Sequence, residues 1–178
     1  MLTHEKRLPL PKADARGRPP TIIVVFGATG DLMARKLVPA LQHLFTSGSL
    51  PDQVAILGAS RQTMDDQAFQ AHVREALVRA ASQGLPDETF LNLFHYVSGD
   101  FSLPEFYRTL NATLERIDMD WGVCTNKLFY LAVQPSVYGS IFQGLAGVRL
   151  NVPCSPATGW TRVLVEKPYG STLDEAEN

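Results

Sequence analysis

The chain has 178 residues (19.6 kDa), of which 45% are hydrophobic and 19% charged, with a formal net charge of -2 at pH 7. A chain of this size buries most of the surface that its unfolded form exposes, so it can build one true core. The near-neutral charge argues against a nucleic-acid binder that works by neutralising phosphates, and no apolar run approaches the ~20 residues that cross a bilayer.

Residues 1–20 stand apart from the rest. They carry Lys6, Arg7, Lys12, Arg16 and Arg18 and four prolines, with neither a helical nor a strand period, and are expected to form a disordered tail. From Thr21 the pattern changes, and residues 21–178 read as one domain. Thr21–Phe26 is a continuous β-branched and apolar run, as in a strand buried on both faces of a parallel sheet. Leu32, Leu37, Leu41, Leu44 and Phe45 then recur at helical spacing, and the helix should stop at Ser47 and Gly48. Val54–Gly58 is a second strand. Met64–Ala81 reads as a helix, with Phe69, Val73, Ala76, Leu77 and Ala80 on its apolar side. Pro86 opens a short helix through Phe94, and His95–Val97 is a strand. Leu103–Ile117 is helical, Lys127–Val133 a strand and Ser136–Leu145 a helix. Thr161–Lys167 is a last strand, and a helix starts near Thr172.

Strands alternating with helices predict βαβ units, a parallel sheet and, with right-handed crossovers, a doubly wound α/β fold. Ligands of such folds lie at the carboxyl ends of the strands. The informative residues are therefore those that follow each strand. Two cysteines, Cys124 and Cys154, are too few for a disulfide scaffold or a four-thiolate zinc site. No metal is expected, and the chain reads as a soluble protein of a reducing compartment, the cytoplasm.

Gly27, Ala28, Thr29, Gly30, Asp31 and Leu32 join the first strand to the first helix. Gly27 permits the tight turn and Gly30 lets a pyrophosphate approach the backbone, where free N–H groups and the helix dipole favour an anion. The spacing is G-x-x-G, with Met33 where a third glycine would stand in a dinucleotide fingerprint. After the second strand, NAD-binding units place a carboxylate for the ribose hydroxyls. Here Gly58 and Ala59 lead instead to Ser60 and Arg61. A guanidinium holds a 2′-phosphate with paired hydrogen bonds and Ser60 can add a hydroxyl donor, so the coenzyme is expected to be NADP.

These blocks match a known pattern. Gly27–Leu32 followed by Ala34–Leu37, with Gly58–Arg61, Tyr130–Pro135 and Val165–Gly170, in this order and spacing, resemble the coenzyme-binding portion of glucose-6-phosphate dehydrogenases. The resemblance covers about residues 21–178. It departs from the family's usual pattern at Met33 and Tyr169.

It implies a Rossmann-like NADP-binding domain and, in the pentose phosphate pathway of glucose metabolism, oxidation of glucose 6-phosphate to 6-phosphogluconolactone with hydride passing to NADP. It further implies that Thr29, Gly30, Asp31 and Leu32 line the pyrophosphate and that Arg61 binds the 2′-phosphate. Asp100 and Phe101 would sit by the coenzyme, with Gln134, Pro135 and Tyr138 bordering the nicotinamide. Lys167 would reach both the coenzyme and the sugar phosphate, aimed by the bend at Pro168. Lys36 matches a basic position of the family.

The family's proton acceptor is a histidine in an R-I-D-H-Y-L-G-K type motif, which does not occur here. Of the four histidines, His4 falls in the tail, His43 and His72 on helix surfaces, and His95 in a strand. The chain stops within a predicted helix. It is thus expected to be the coenzyme-binding part of a longer enzyme, which would form dimers or tetramers through a second domain. Alone it is expected to bind NADP without turnover. Two other readings fit parts of the pattern, an NADP-sensing regulatory module and an atypical short-chain dehydrogenase relative. Against the latter, neither Tyr130 nor Tyr138 has a lysine four residues on.

Overall fold

The β-branched run Thr21–Phe26 forms β1, the central strand of a five-stranded sheet. A computed structural model describes residues 13–80, 87–154 and 159–166. The strands are β1, β2 (Val54–Ser60), β3 (Phe94–Ser98), β4 (Asn126–Leu131) and β5 (Thr161–Val165), all parallel, in the order β3-β2-β1-β4-β5. The helices are α1 (Val38–Thr46), α2 (Asp66–Arg79), α3 (Glu88–Leu91), α4 (Pro104–Trp121) and α5 (Tyr138–Gly147).

Both faces of β1 are apolar because both are covered. Ile22, Val24 and Phe26 join the core beneath α4 and α5, with Leu110, Leu114, Ile141 and Leu145. Val25 faces the opposite core, with Met33 and Leu41 below α1, Phe69 and Val73 from α2, and Phe90 from α3. The doubly wound architecture expected from the alternation of strands and helices is the one formed.

Several boundaries differ from the sequence pattern, each for a physical reason. The first helix opens with a π-helical turn at Met33–Leu37, in which the Val38 N–H reaches back to the Met33 carbonyl. Pro39 follows, and a proline that lacks an N–H and crowds the carbonyl four residues back favours such a widened turn. α2 starts at Asp66 because the Asp65 carboxylate accepts the Ala68 N–H at 2.8 Å and caps it. α4 continues past Ile117 to Trp121 and ends on Gly122 in the left-handed region. Its polar last turn hides the period, but Asp118 points inward. There the Asp118 carboxylate accepts the Thr125 hydroxyl at 2.6 Å and the Lys127 ammonium at 2.7 Å, and both members of the ion pair are buried. The predicted helix over 136–145 begins as a 3₁₀ turn at Pro135–Val137 before α5.

Part of the expected tail is held in place. Arg18 pairs with Asp14 at 2.8 Å, and both Arg16 and Arg18 donate to the Gly48 carbonyl at the end of α1. The cysteines, read as too few for a disulfide scaffold, do form one bond. Cys124 and Cys154 are joined by a disulfide, with Cα atoms 6.2 Å apart across a sequence separation of 30. They meet because one precedes β4 and the other lies in the segment leading to β5, and these strands are neighbours. The predicted helix from Thr172 lies outside the described residues, among which no helix is long and apolar enough to cross a membrane.

Reducing the Cys124–Cys154 bond reopens a long loop in the unfolded chain, so stability should fall by about 3–4 kcal/mol. Urea unfolding with and without dithiothreitol measures the loss, and Cys154→Ser should reproduce it.

Candidate functional site

β1 and β4 are neighbours whose connections leave toward opposite faces, β1 into α1 and β4 into α5. The carboxyl ends of such a pair open the crevice where ligands of this fold bind. Gly27 occupies it with φ 85°, and a Cβ there would lie 2.4 Å from the Ala132 carbonyl oxygen and 3.0 Å from Val133 Cγ1. Only glycine combines this backbone with so close an approach. On its other side the loop is tied to β2, since the Gly27 and Ala28 N–H groups both donate to the Ala59 carbonyl, at 2.8 and 3.1 Å.

This tie separates two tasks within the loop. The N–H groups of Gly27, Ala28 and Gly30 are used internally, and Ala28 is fully buried. These residues shape the turn. The N–H groups of Thr29, Asp31 and Leu32 take no partner among the described residues, as at the start of any helix, and are the donors available to an anion. Asp31 is exposed and lies 3.5 Å from Arg35, and Lys36 is exposed on the π-helical turn.

Arg61 stands exposed just past the end of β2. Ser60 beside it is turned inward and buried. Its hydroxyl accepts from Thr29 Oγ1 at 3.1 Å and from the Gln62 N–H at 3.1 Å, and lies 2.6 Å from the Tyr96 hydroxyl. Asp100 follows β3, and its exposed carboxylate accepts from the Ser102 N–H and hydroxyl, both at 2.8 Å. These bonds, with a smaller contribution from the Arg61 charge, hold its carboxyl below the usual carboxylate range. Phe101 is turned inward as well. Its side chain is buried in the core, with its ring centroid 5.2 Å from that of Phe26, and does not line the crevice.

On the β4 side, Gln134 and Pro135 are exposed and Tyr138 is half-buried against the core. The Tyr130 hydroxyl donates to the Glu166 carboxylate, and Tyr138 approaches the Glu166 carbonyl at 3.4 Å. Burial first, then the Glu166 carboxylate, pushes the Tyr130 phenol up to about 12. Lys167 and Pro168 lie outside the described residues. Tyr96, Tyr130 and Glu166 were not assigned tasks by sequence reasoning. The available signal was a tyrosine within a predicted strand, whose hydroxyl needs a partner when buried. Among the described histidines, His43 is exposed, His95 Nδ1 meets Asp66 at 2.9 Å beside the edge strand, and His72 is half-buried on α2, its ring stacked on Phe69.

Residues 24–178 match the family model described as glucose-6-phosphate dehydrogenase, NAD binding domain. The chain belongs to this family. It is 36% identical over 163 residues to glucose-6-phosphate 1-dehydrogenase of Chlamydia pneumoniae, covering 89% of this chain and 32% of that one. It is 37% identical over 161 residues to the cytoplasmic glucose-6-phosphate 1-dehydrogenase 6 of Arabidopsis thaliana, covering 87% and 31%. A solved glucose-6-phosphate dehydrogenase in complex with its substrate glucose-6-phosphate superposes with a TM-score of 0.75 at 30% identity, covering 88% of this chain and 32% of the other. The chain thus spans about a third of the length of the curated relatives it matches. Membership in the family removes the regulatory-module and short-chain-dehydrogenase readings.

Gly27→Ala forces a Cβ onto the Ala132 carbonyl and should cost about 2 kcal/mol or more, with loss of coenzyme binding. Thermal melts and calorimetry on the variant check both. Tyr107 and Tyr130 have phenols raised from the usual 10.0 to about 12, burial being the first cause in each. A raised pKa stabilises the fold fully below the unfolded value and loses that effect as pH climbs through the folded value. The urea midpoint should therefore fall between pH 10 and about 12, and Tyr130→Phe should make that fall shallower.

Proposed function

We propose that this chain is the NADP-binding part of a cytoplasmic glucose-6-phosphate dehydrogenase. In that role it binds the coenzyme across the carboxyl edge of the sheet, while hydride leaves C1 of glucose 6-phosphate and the lactone forms. The observation that carries the NADP reading is Arg61, exposed after β2 where NAD-specific sites hold a carboxylate. The Thr29, Asp31 and Leu32 N–H groups would take the pyrophosphate, with the turn held open by Gly27. The coenzyme supplies the hydride acceptor. The protein's contribution is to orient it and to balance the charge of its phosphates.

Gln134, Pro135 and Tyr138 would border the nicotinamide, and Lys167 would meet both the coenzyme and the sugar phosphate. Support for the Lys167 assignment comes from its neighbour. The Glu166 carboxylate, on the residue before Lys167 in sequence, is held by Tyr130 at the end of β5. Asp100 would act on Arg61 electrostatically, and Phe101 would support the crevice from below. Glucose 6-phosphate as substrate is the chemistry named for the solved relative. Assembly as a dimer or tetramer belongs to the same reading.

Calorimetry with NADP and NAD tests it. NADP should bind more tightly, and Arg61→Ala should weaken NADP about ten- to a hundredfold while leaving NAD nearly unchanged, as loss of charge-assisted hydrogen bonds requires. Equal affinities in the native chain would exclude Arg61 as the 2′-phosphate ligand.

A further inference from the structure

Arg61 lies in a short turn whose two flanking residues are gripped by one phenol. The Tyr96 hydroxyl donates to the Gln62 carbonyl at 2.7 Å. Its proton is thereby used, so the 2.6 Å contact with Ser60 runs from the Ser60 hydroxyl to the Tyr96 oxygen. Ser60 in turn accepts from Thr29 Oγ1 and from the Gln62 N–H. Every hydroxyl hydrogen in this chain of contacts has one direction, from Thr29 to Ser60 to Tyr96 to Gln62. The chain begins in the phosphate loop and ends beyond Arg61.

The phenol itself is firmly placed. Tyr96 is buried in β3, its ring centroid lies 4.9 Å from that of Phe69, and its N–H donates to Asp66 Oδ1 at 2.8 Å. Arg61, by contrast, is exposed, and its position depends on the backbone of its turn. We infer that Tyr96 is a positioning residue for Arg61 and so sets the preference for a 2′-phosphorylated coenzyme. This rests on the NADP reading above. Without the phenol hydroxyl, the Gln62 carbonyl loses its donor and the Ser60 hydroxyl its acceptor, so the flank of Arg61 beyond the strand keeps only the Gln62 N–H bond to Ser60, while Ser60 itself stays paired in β2. The bond from Thr29 to Ser60 survives, and with it the tie to the phosphate loop. NAD offers Arg61 no phosphate and does not depend on where that side chain is held.

The test is calorimetry of the full chain with NADP and NAD, using Tyr96→Phe, Arg61→Ala and the double variant. Tyr96→Phe should weaken NADP about five- to tenfold, the size of a lost hydrogen bond or two, and leave NAD within about twofold. In the Arg61→Ala background, Tyr96→Phe should have no further effect on NADP, because Tyr96 acts through Arg61. A merely structural role would weaken both coenzymes alike or multiply with Arg61→Ala, and either result overturns the inference, as does an unchanged NADP affinity. Ser60→Ala is the second variant should Tyr96→Phe fail to fold. It must lower the ratio of NADP to NAD affinity, and an unchanged ratio overturns the inference. If Arg61→Ala alone leaves NADP binding intact, the NADP reading itself has failed and the role of Tyr96 falls with it.

Discussion

The approach of Gly27 to the Ala132 carbonyl constrains everything built on the carboxyl edge of the sheet. At this point the backbone leaving β1 presses on the backbone leaving β4, with no room for a single methyl group. The contact joins the two halves of the sheet at the place where their connections diverge. It sets the angle at which the first helix departs, and therefore where the unpartnered N–H groups of Thr29, Asp31 and Leu32 point. Because the Gly27 and Ala28 N–H groups are tied to Ala59, the same turn also fixes the end of β2, where Arg61 begins. The loop after β1 and the turn carrying Arg61 are thus registered against each other through backbone bonds.

Side-chain hydroxyls add a second layer to this registration. Thr29, Ser60 and Tyr96 link three successive elements of the sheet, and each hydroxyl is used in one direction. Buried polar groups that are fully paired give a site a single geometry, whereas a half-paired chain would cost stability without that gain. Tyr130 and Glu166 make a comparable link on the other side of the crevice, between β4 and the end of β5.

The opposite edge of the sheet carries a different set of devices. The Lys127–Asp118 pair lies at the entry to β4, and the Cys124–Cys154 bond ties that entry to the segment before β5. Arg16 and Arg18 hold the approach to β1 against the end of α1. The disulfide and the buried ion pair secure the strands where they begin, and the exposed Arg61, Asp100 and Gln134 lie where strands end. A parallel sheet permits this separation because all strand starts lie on one edge and all strand ends on the other.

Much of this was legible from residue order alone. The apolar runs of β1, β2 and β4 had to be strands covered on both faces, and alternation with helical periods left little besides a doubly wound sheet. Glycine at 27 announced its tight turn by type and by place after a strand, and arginine at 61 its exposed charge. What the order of residues could not supply was the meeting of groups distant in sequence. Ser60 reads as an exposed hydroxyl until the fold brings it to 2.6 Å from the Tyr96 hydroxyl, 36 residues away. Phe101 reads as a coenzyme neighbour until the packing of Phe26 and Phe106 draws its ring inward. Two cysteines separated by 30 residues become a bond only because their strands are neighbours. Local pattern determines which elements form and which groups carry charge, since these depend on neighbours along the chain. Which hydroxyl still has a hydrogen to give, and which ring faces the crevice, depend on contacts made across the sheet, and only the tertiary structure decides them.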